Sequence, residues 1–200
     1  MGGLLSFGVR RASRGRAAGL VAVAALAIGV ASCGNGISTA TTAPSGTSLD
    51  YGHTPIPAGP TPSKSAQMIC GSEAQTEIAY SLGVKPIEPL HPTWVDHLYS
   101  CKDVYRNGVI VLSVKEMSSQ AQTTAYYDAA KQQYGDIAPV TGLGQGGFVT
   151  RNGSVVVRKD FKVLFVDVAG LPARFGVPAT SAGDVAIAVA DVVMACWDGE

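Results

Sequence analysis

Two hydrophobic rhythms organise the chain from about Met68 onward. Between residues 109 and 114, Val109 and Val111 alternate with Ile110, Leu112 and Val114; between 161 and 168, Phe161, Val163 and Phe165 alternate with Leu164, Val166 and Val168. Such runs read as strands, and because both alternating sets are apolar, both faces of the sheet need cover. Helices on both faces would supply it; otherwise one face is partly open to an apolar ligand. The slower, helical rhythm appears three times. Ser72 and Gln75 have capping-box spacing, Ile78 and Leu82 share a face, and Gly83 ends the segment. Ser118 or Ser119 starts a second helix running to about Tyr134 and closed by Gly135, and Ser181 or Asp184 starts a third running to Trp197.

Turn residues divide the strands. Asn107-Gly108 and Asn152-Gly153 favour the positive φ angles of tight hairpins, which pairs about 97–105 with 109–116 and about 147–151 with 154–159. Phe161 to Val168 then continues the meander after Lys159-Asp160. The expected fold is α+β, a mostly antiparallel sheet of about five strands with three helices in the order α-β-β-α-β-β-β-α, because tight hairpins cannot join parallel neighbours.

The first 66 residues follow neither rhythm. Arg10, Arg11, Arg14 and Arg16 precede an apolar run from Ala17 to Val30, then Ala31, Ser32 and Cys33. A basic start, a short apolar segment and a small-residue cleavage context make an export signal, and the run is shorter than the roughly 20 residues of a membrane span. Cys33 supplies the thiol that bacterial lipoprotein processing acylates before cleavage, so 1–32 is expected to be a signal peptide and Cys33 a lipid anchor that attaches the protein to the extracytoplasmic side of a membrane. From Gly34 to about Ala66 the chain is almost entirely Gly, Ser, Thr, Ala and Pro, a composition that buries too little apolar surface to fold and reads as a stalk, its threonines open to glycosylation. The single domain is expected over 67–200.

Removing the signal changes the charge. The whole chain balances at 15 basic and 15 acidic residues, but the four arginines all lie before Cys33, leaving 11 against 15. An acidic domain lacks the electrostatic term that holds nucleic acid, so no nucleic-acid partner is expected. Three cysteines remain. In an exported protein two of them pair: Cys70 with Cys101 is the preferred bridge, closing a loop of about 32 residues, and Cys196 shares a helical stripe with Val185, Val189 and Val192 and is read as buried. No C-x-x-C spacing occurs, so neither a thiolate metal site nor another cofactor is expected.

Several of these residues together carry a resemblance. Cys70 before a helix ending in Leu82-Gly83, Cys101 in an aromatic-bearing strand, Gly142-Leu143-Gly144, and a hairpin with Val155-Val156-Val157-Arg158-Lys159 resemble the small actinobacterial cell-envelope lipoproteins that carry domains of unknown function. The likeness implies a location and a fold, with a sensor or accessory role as related-looking domains have; it implies no chemistry.

Chemical motifs are sparse. Gly142, Gly144 and Gly147 match a G-x-G-x-x-G spacing, but Phe148 to Thr150 read as strand where a phosphate cradle needs a helix. Glu88, His91, Asp96 and His97 cluster in sequence and invite a metal or acid–base reading, against which structural histidines are commoner. Arg151, Arg158, Lys159 and Lys162 read either as an anion patch or as solvated strand ends. No serine has a nucleophile's context, and no catalytic residue is assigned. The expected role is non-catalytic, a module binding an apolar or partly anionic envelope molecule, or an envelope protein, in a cleft between sheet and helices. His97, Tyr99, Phe165 and Asp167 are the candidate ligand-binding residues. The alternative is a small hydrolase of wall or lipid substrates, which would require His97, Asp96 and a hydroxyl to converge.

Overall fold

A computed structural model describes residues 54–197. The signal segment, Cys33 and the stalk up to residue 53 lie outside the described residues, as do residues 198–200. The elements are α1 (Lys64–Met68), α2 (Ser72–Leu82), β1 (Thr93–Val95), β2 (Leu98–Tyr105), β3 (Gly108–Glu116), α3 (Gln120–Tyr134), β4 (Ala138–Val140), β5 (Gly146–Val149), β6 (Val155–Lys159), β7 (Lys162–Gly170), β8 (Arg174–Phe175), β9 (Thr180–Ser181) and α4 (Ala182–Cys196). The α+β class and the antiparallel sheet hold. The described sheet has seven strands in the order β1-β2-β3-β7-β6-β5-β4, not about five, and there are four helices, not three; β8 and β9 form a separate two-stranded ribbon.

Every neighbour in the main sheet is antiparallel. The register sorts side chains onto two faces. Cys101, Leu112, Val166 and Val155 are aligned on one, where α1, α2 and α4 close a core with Ile78, Val189 and Val193. Ser100, Ser113, Phe165, Val156 and Phe148 are aligned on the other. There α3 is the one helix among the described residues that gives cover, with Tyr127 and Ala130 packed on Phe148, Val156 and Val163 in a second, smaller core. Helices therefore lie on both faces, but among the described residues the helical cover of the second face reaches only β5, β6 and β7.

Helix ends follow local chemistry. Ser119 caps α3 by accepting from the Gln122 N–H at 3.3 Å, and Ser181 caps α4 by accepting from Asp184 N–H at 3.1 Å. A Ser119→Ala variant is expected to lose about 1 kcal/mol in denaturant melts; an unchanged midpoint would mean that helix packing alone sets this end. The capping box expected for α2 does not form. Gly71 is its N-cap without a side-chain bond, and Gln75 donates instead to the Ile69 carbonyl at 3.0 Å. Gly83 does end α2, in the left-handed region at φ 64°, where a Cβ would stand 2.2 Å from the Val177 carbonyl oxygen.

Turns shift in detail. The β2–β3 turn is Arg106-Asn107, with Gly108 already paired to Tyr105. Gly108 is there because Leu171 and the Gly170 carbonyl crowd it, a Cβ meeting them at 2.8 and 3.1 Å, not because of a positive φ. The β5–β6 connection does use Gly153 at φ 85°, with Asn152 Oδ1 accepting from Ser154 N–H at 3.1 Å.

The folded region begins before the expected boundary at 67. A strap of chain from Thr54 to Ser63 lies against the end of the sheet: Ala58 N–H donates to the Met117 carbonyl at 3.0 Å and the Trp94 indole donates to the Pro60 carbonyl at 3.1 Å. Glu116, 3% exposed, accepts from both the N–H and the hydroxyl of Ser63, the residue that caps α1. Ala66 and Ile69 are fully buried. The next residue, Cys70, is joined to Cys101 of β2 by the expected disulfide, and Cys196 is buried on α4.

Candidate functional site

The four residues singled out from the sequence do not assemble. His97 is not in β2 beside Tyr99 and Cys101; with Asp96 it forms the two-residue β1–β2 turn, both at positive φ (49° and 58°). Asp and His tolerate that region better than most residues do, which is why a turn can form without glycine. The ring of His97 meets Trp94 edge-on at 5.6 Å. Tyr99 pairs with Val114 and faces the α2/α4 core, whereas Phe165 pairs with Ser113 and faces α3. Asp167 shares the Phe165 face, but its Oδ1 accepts from Ser154 Oγ at 3.0 Å and Ala169 N–H at 2.9 Å, so it fastens strand to strand. Phe165 lines a cavity.

That cavity is a cleft of about 110 Å³ between α3 and the sheet. Phe165, Val163 and Val156 form its floor, Leu98 and Ser113 its open side, and Tyr126, Ala130 and Tyr134 its helical wall. The wall residues recur every four positions, one flank of α3. Tyr134 stacks in a tilted arrangement on Phe165, centroids 4.9 Å apart. Burial, and then the neighbouring Tyr134, push the Tyr126 phenol above its ordinary range, so it stays neutral at physiological pH. The cleft's one ionic lining group is Lys115, whose ammonium donates to the Asp96 carbonyl. A cavity this size takes a single ring or the tip of an alkyl chain.

Beyond Ser113 the same face continues across β3, β2 and β1 without cover from a helix among the described residues. Val111, Ser113 and Ser100 are half-buried there, Thr93 is exposed and bonded to Ser100 hydroxyl to hydroxyl at 2.9 Å, and Val95 is 64% exposed. A row of hydroxyls thus leads into an apolar recess. Two other depressions are shallower. One of about 790 Å³ runs along α2 to Lys85 and Pro86, and one of about 490 Å³ lies between the 140–143 loop and Asp184, Ile187 and Asp191 of α4.

The remaining chemical readings resolve locally. Gly142 and Gly144 have positive φ and lead into β5, a strand and not a helix. The four basic residues do not share a patch: Lys159 donates to the Trp197 carbonyl at 2.8 Å, Arg158 lies 5.1 Å over the Tyr127 ring, Lys162 is 2% exposed, and Arg151 lies over Gly135. Among the described residues no group of three or more His, Cys, Asp or Glu is placed to hold a metal ion, and no helix is long and apolar enough to cross a membrane. Tyr126, Ala130 and Tyr134 recur every four positions, a spacing that one flank of any helix shows, so the sequence does not mark them as a site. No protein-family model, curated protein or solved structure matches the chain.

Proposed function

We propose that this protein is an extracytoplasmic lipoprotein, anchored to the membrane through an acylated Cys33, whose domain is a non-catalytic binding module of the cell envelope. The anchor rests on the arginine cluster, the short apolar run and the small residues before Cys33. The setting accords with the resemblance to small actinobacterial envelope lipoproteins. The binding role rests on one observation: the cleft between α3 and the sheet is walled by Leu98, Tyr126, Tyr134, Val156, Val163 and Phe165, carries a single cation, and opens onto a sheet face that no described helix covers. Apolar walls with a few convergent polar groups are the usual makeup of a ligand site, whereas acid–base or nucleophilic work needs paired groups. The ligand that fits is an amphiphile, whose ring or chain end enters the recess and whose anionic or hydroxylated part lies toward Lys115 and Ser113.

Native mass spectrometry of the full chain, exported and gently purified from its producing organism, tests both halves. The expected spectrum has Cys33 as its first residue with a diacylglyceryl mass, and a second, dissociable amphiphile on the domain. Ser113→Leu, which fills the cleft from its open side, should abolish the second mass and leave the first; Cys33→Ser should remove the anchor. A wild-type domain that is always empty sinks the binding role, and an unmodified Cys33 sinks the anchor.

A further inference from the structure

On the opposite face of the sheet, beneath α2, buried oxygens outnumber the protons available to them. Asp103 of β2 is fully buried, and no donor reaches either carboxylate oxygen with good hydrogen-bond geometry, although the Gln75 side chain comes near enough to favour the charged form in part. Gln75 approaches from α2. Its amide nitrogen is directed to the Ile69 carbonyl at 3.0 Å, which leaves Oε1 buried without a partner. Tyr105, two residues along β2 on the same face, is 4% exposed and packs edge-on against Phe175 at 4.9 Å, with its hydroxyl unpaired. Opposite Asp103 across the β2–β3 pair stands Ile110. Among the described residues no cation joins these neighbours: Glu73 and Glu77 lie on the side of α2 away from Gln75 by helical spacing, and Lys85 is exposed on the outer rim of the α2 groove.

One proton corrects the count. A neutral Asp103 carboxyl gains an O–H to offer the Gln75 oxygen. We propose that Asp103 is a proton-operated latch on α2: protonated, it lets the helix close on the sheet, and ionised, it loosens the helix and the groove of about 790 Å³ that Gln75 lines. Burial, offset in part by the nearby Gln75 amide, pushes the carboxyl up to about 6. The sign follows. The closed state holds its proton until about pH 6, whereas an opened, hydrated Asp103 gives it up near the ordinary 3.8. Closure is firmest below that lower value, weakens as pH rises between the two, and levels off above the upper one. The latch is independent of the α3 cleft, which lies on the other face.

Hydrogen exchange of the full chain, corrected for intrinsic rates, reads the latch directly. Protection of amides in α2 should fall roughly fiftyfold between about pH 4 and 7, most of it by about pH 6, while α3 stays level. Asp103→Asn carries its donor at every pH and should flatten the α2 profile. A level wild-type profile, or the same slope in Asp103→Asn, overturns the proposal. Should that variant not fold, carbon-detected NMR of the wild-type Asp103 carboxyl decides: a midpoint near 6 supports the latch, and one in the ordinary carboxylate range removes it.

Discussion

Replacing both Cys70 and Cys101 by alanine is expected to destabilise the domain by about 4 kcal/mol, the entropy that a crosslink over 31 residues removes from the unfolded chain. Alanine is the better probe than serine, since Cys101 is 3% exposed and a hydroxyl there would need a partner. The loss should exceed what loop length alone implies if α1 and α2 rely on the bridge for their approach to the sheet. Cys70 occupies the short link between those helices, and α1 is only five residues long, too short to hold itself together. For a domain of this size, each kcal/mol moves the melting temperature by roughly 4 °C, so a fall of roughly 15 °C should be seen in thermal melts. A change under about 1 kcal/mol would mean that Ile69, Ile78 and Leu82 position the helices without covalent help.

Phe148→Ala should cost about 3–5 kcal/mol, the range for deleting a fully buried ring. Phe148 is the largest of the fully buried side chains and the centre of the smaller core. Tyr127 meets it edge-on at 5.3 Å and the Lys131 ammonium lies 5.9 Å from its centroid. Among the described residues the core on that face has only α3 for cover, so the neighbours have little from which to refill the space, and the upper part of the range is expected. Urea unfolding of the two proteins measures it. The variant should also loosen α3 selectively, seen as lost amide protection over 120–134 with α4 unchanged. Uniform loss across both helices would show that the two faces unfold as one unit.

The long elements were legible because several local signals agreed in each. For α3, Ser119 and Gly135 mark the ends that the structure uses; for β3 and β7, two-sided apolar alternation predicted cover on both faces. Short elements were hidden by contrary chemistry. Pro139 argues against a strand, yet β4 is an edge, where a missing N–H is tolerated. β1 has three residues and turns through Asp96-His97 without a glycine. The strap and α1 lie in a Gly/Ser/Thr/Pro-rich stretch, and only tertiary packing of Ala66 and Ile69 and the reach of Ser63 to Glu116, 53 residues away, give them structure. Of the candidate site, Phe165 could be read from the alternation. The split between Tyr99 and Phe165 depends on register, which adjacent sequence does not encode.

The strap determines how the domain would carry a mechanical load. A pull applied at Thr54 is resisted first at Ala58 and Ser63, whose bonds to Met117 and Glu116 hold the end of β3, and then at a covalent stop, Cys70–Cys101, which hands the force to the second strand of a seven-stranded sheet. With the domain held by its sheet, no tension passes into α2 or beyond. The chain that can be stripped away ends at Cys70, which limits the give to roughly 55 Å at full extension. A tug on this end lengthens the leash, and the load then enters the sheet at Cys101 of β2 and bypasses α2.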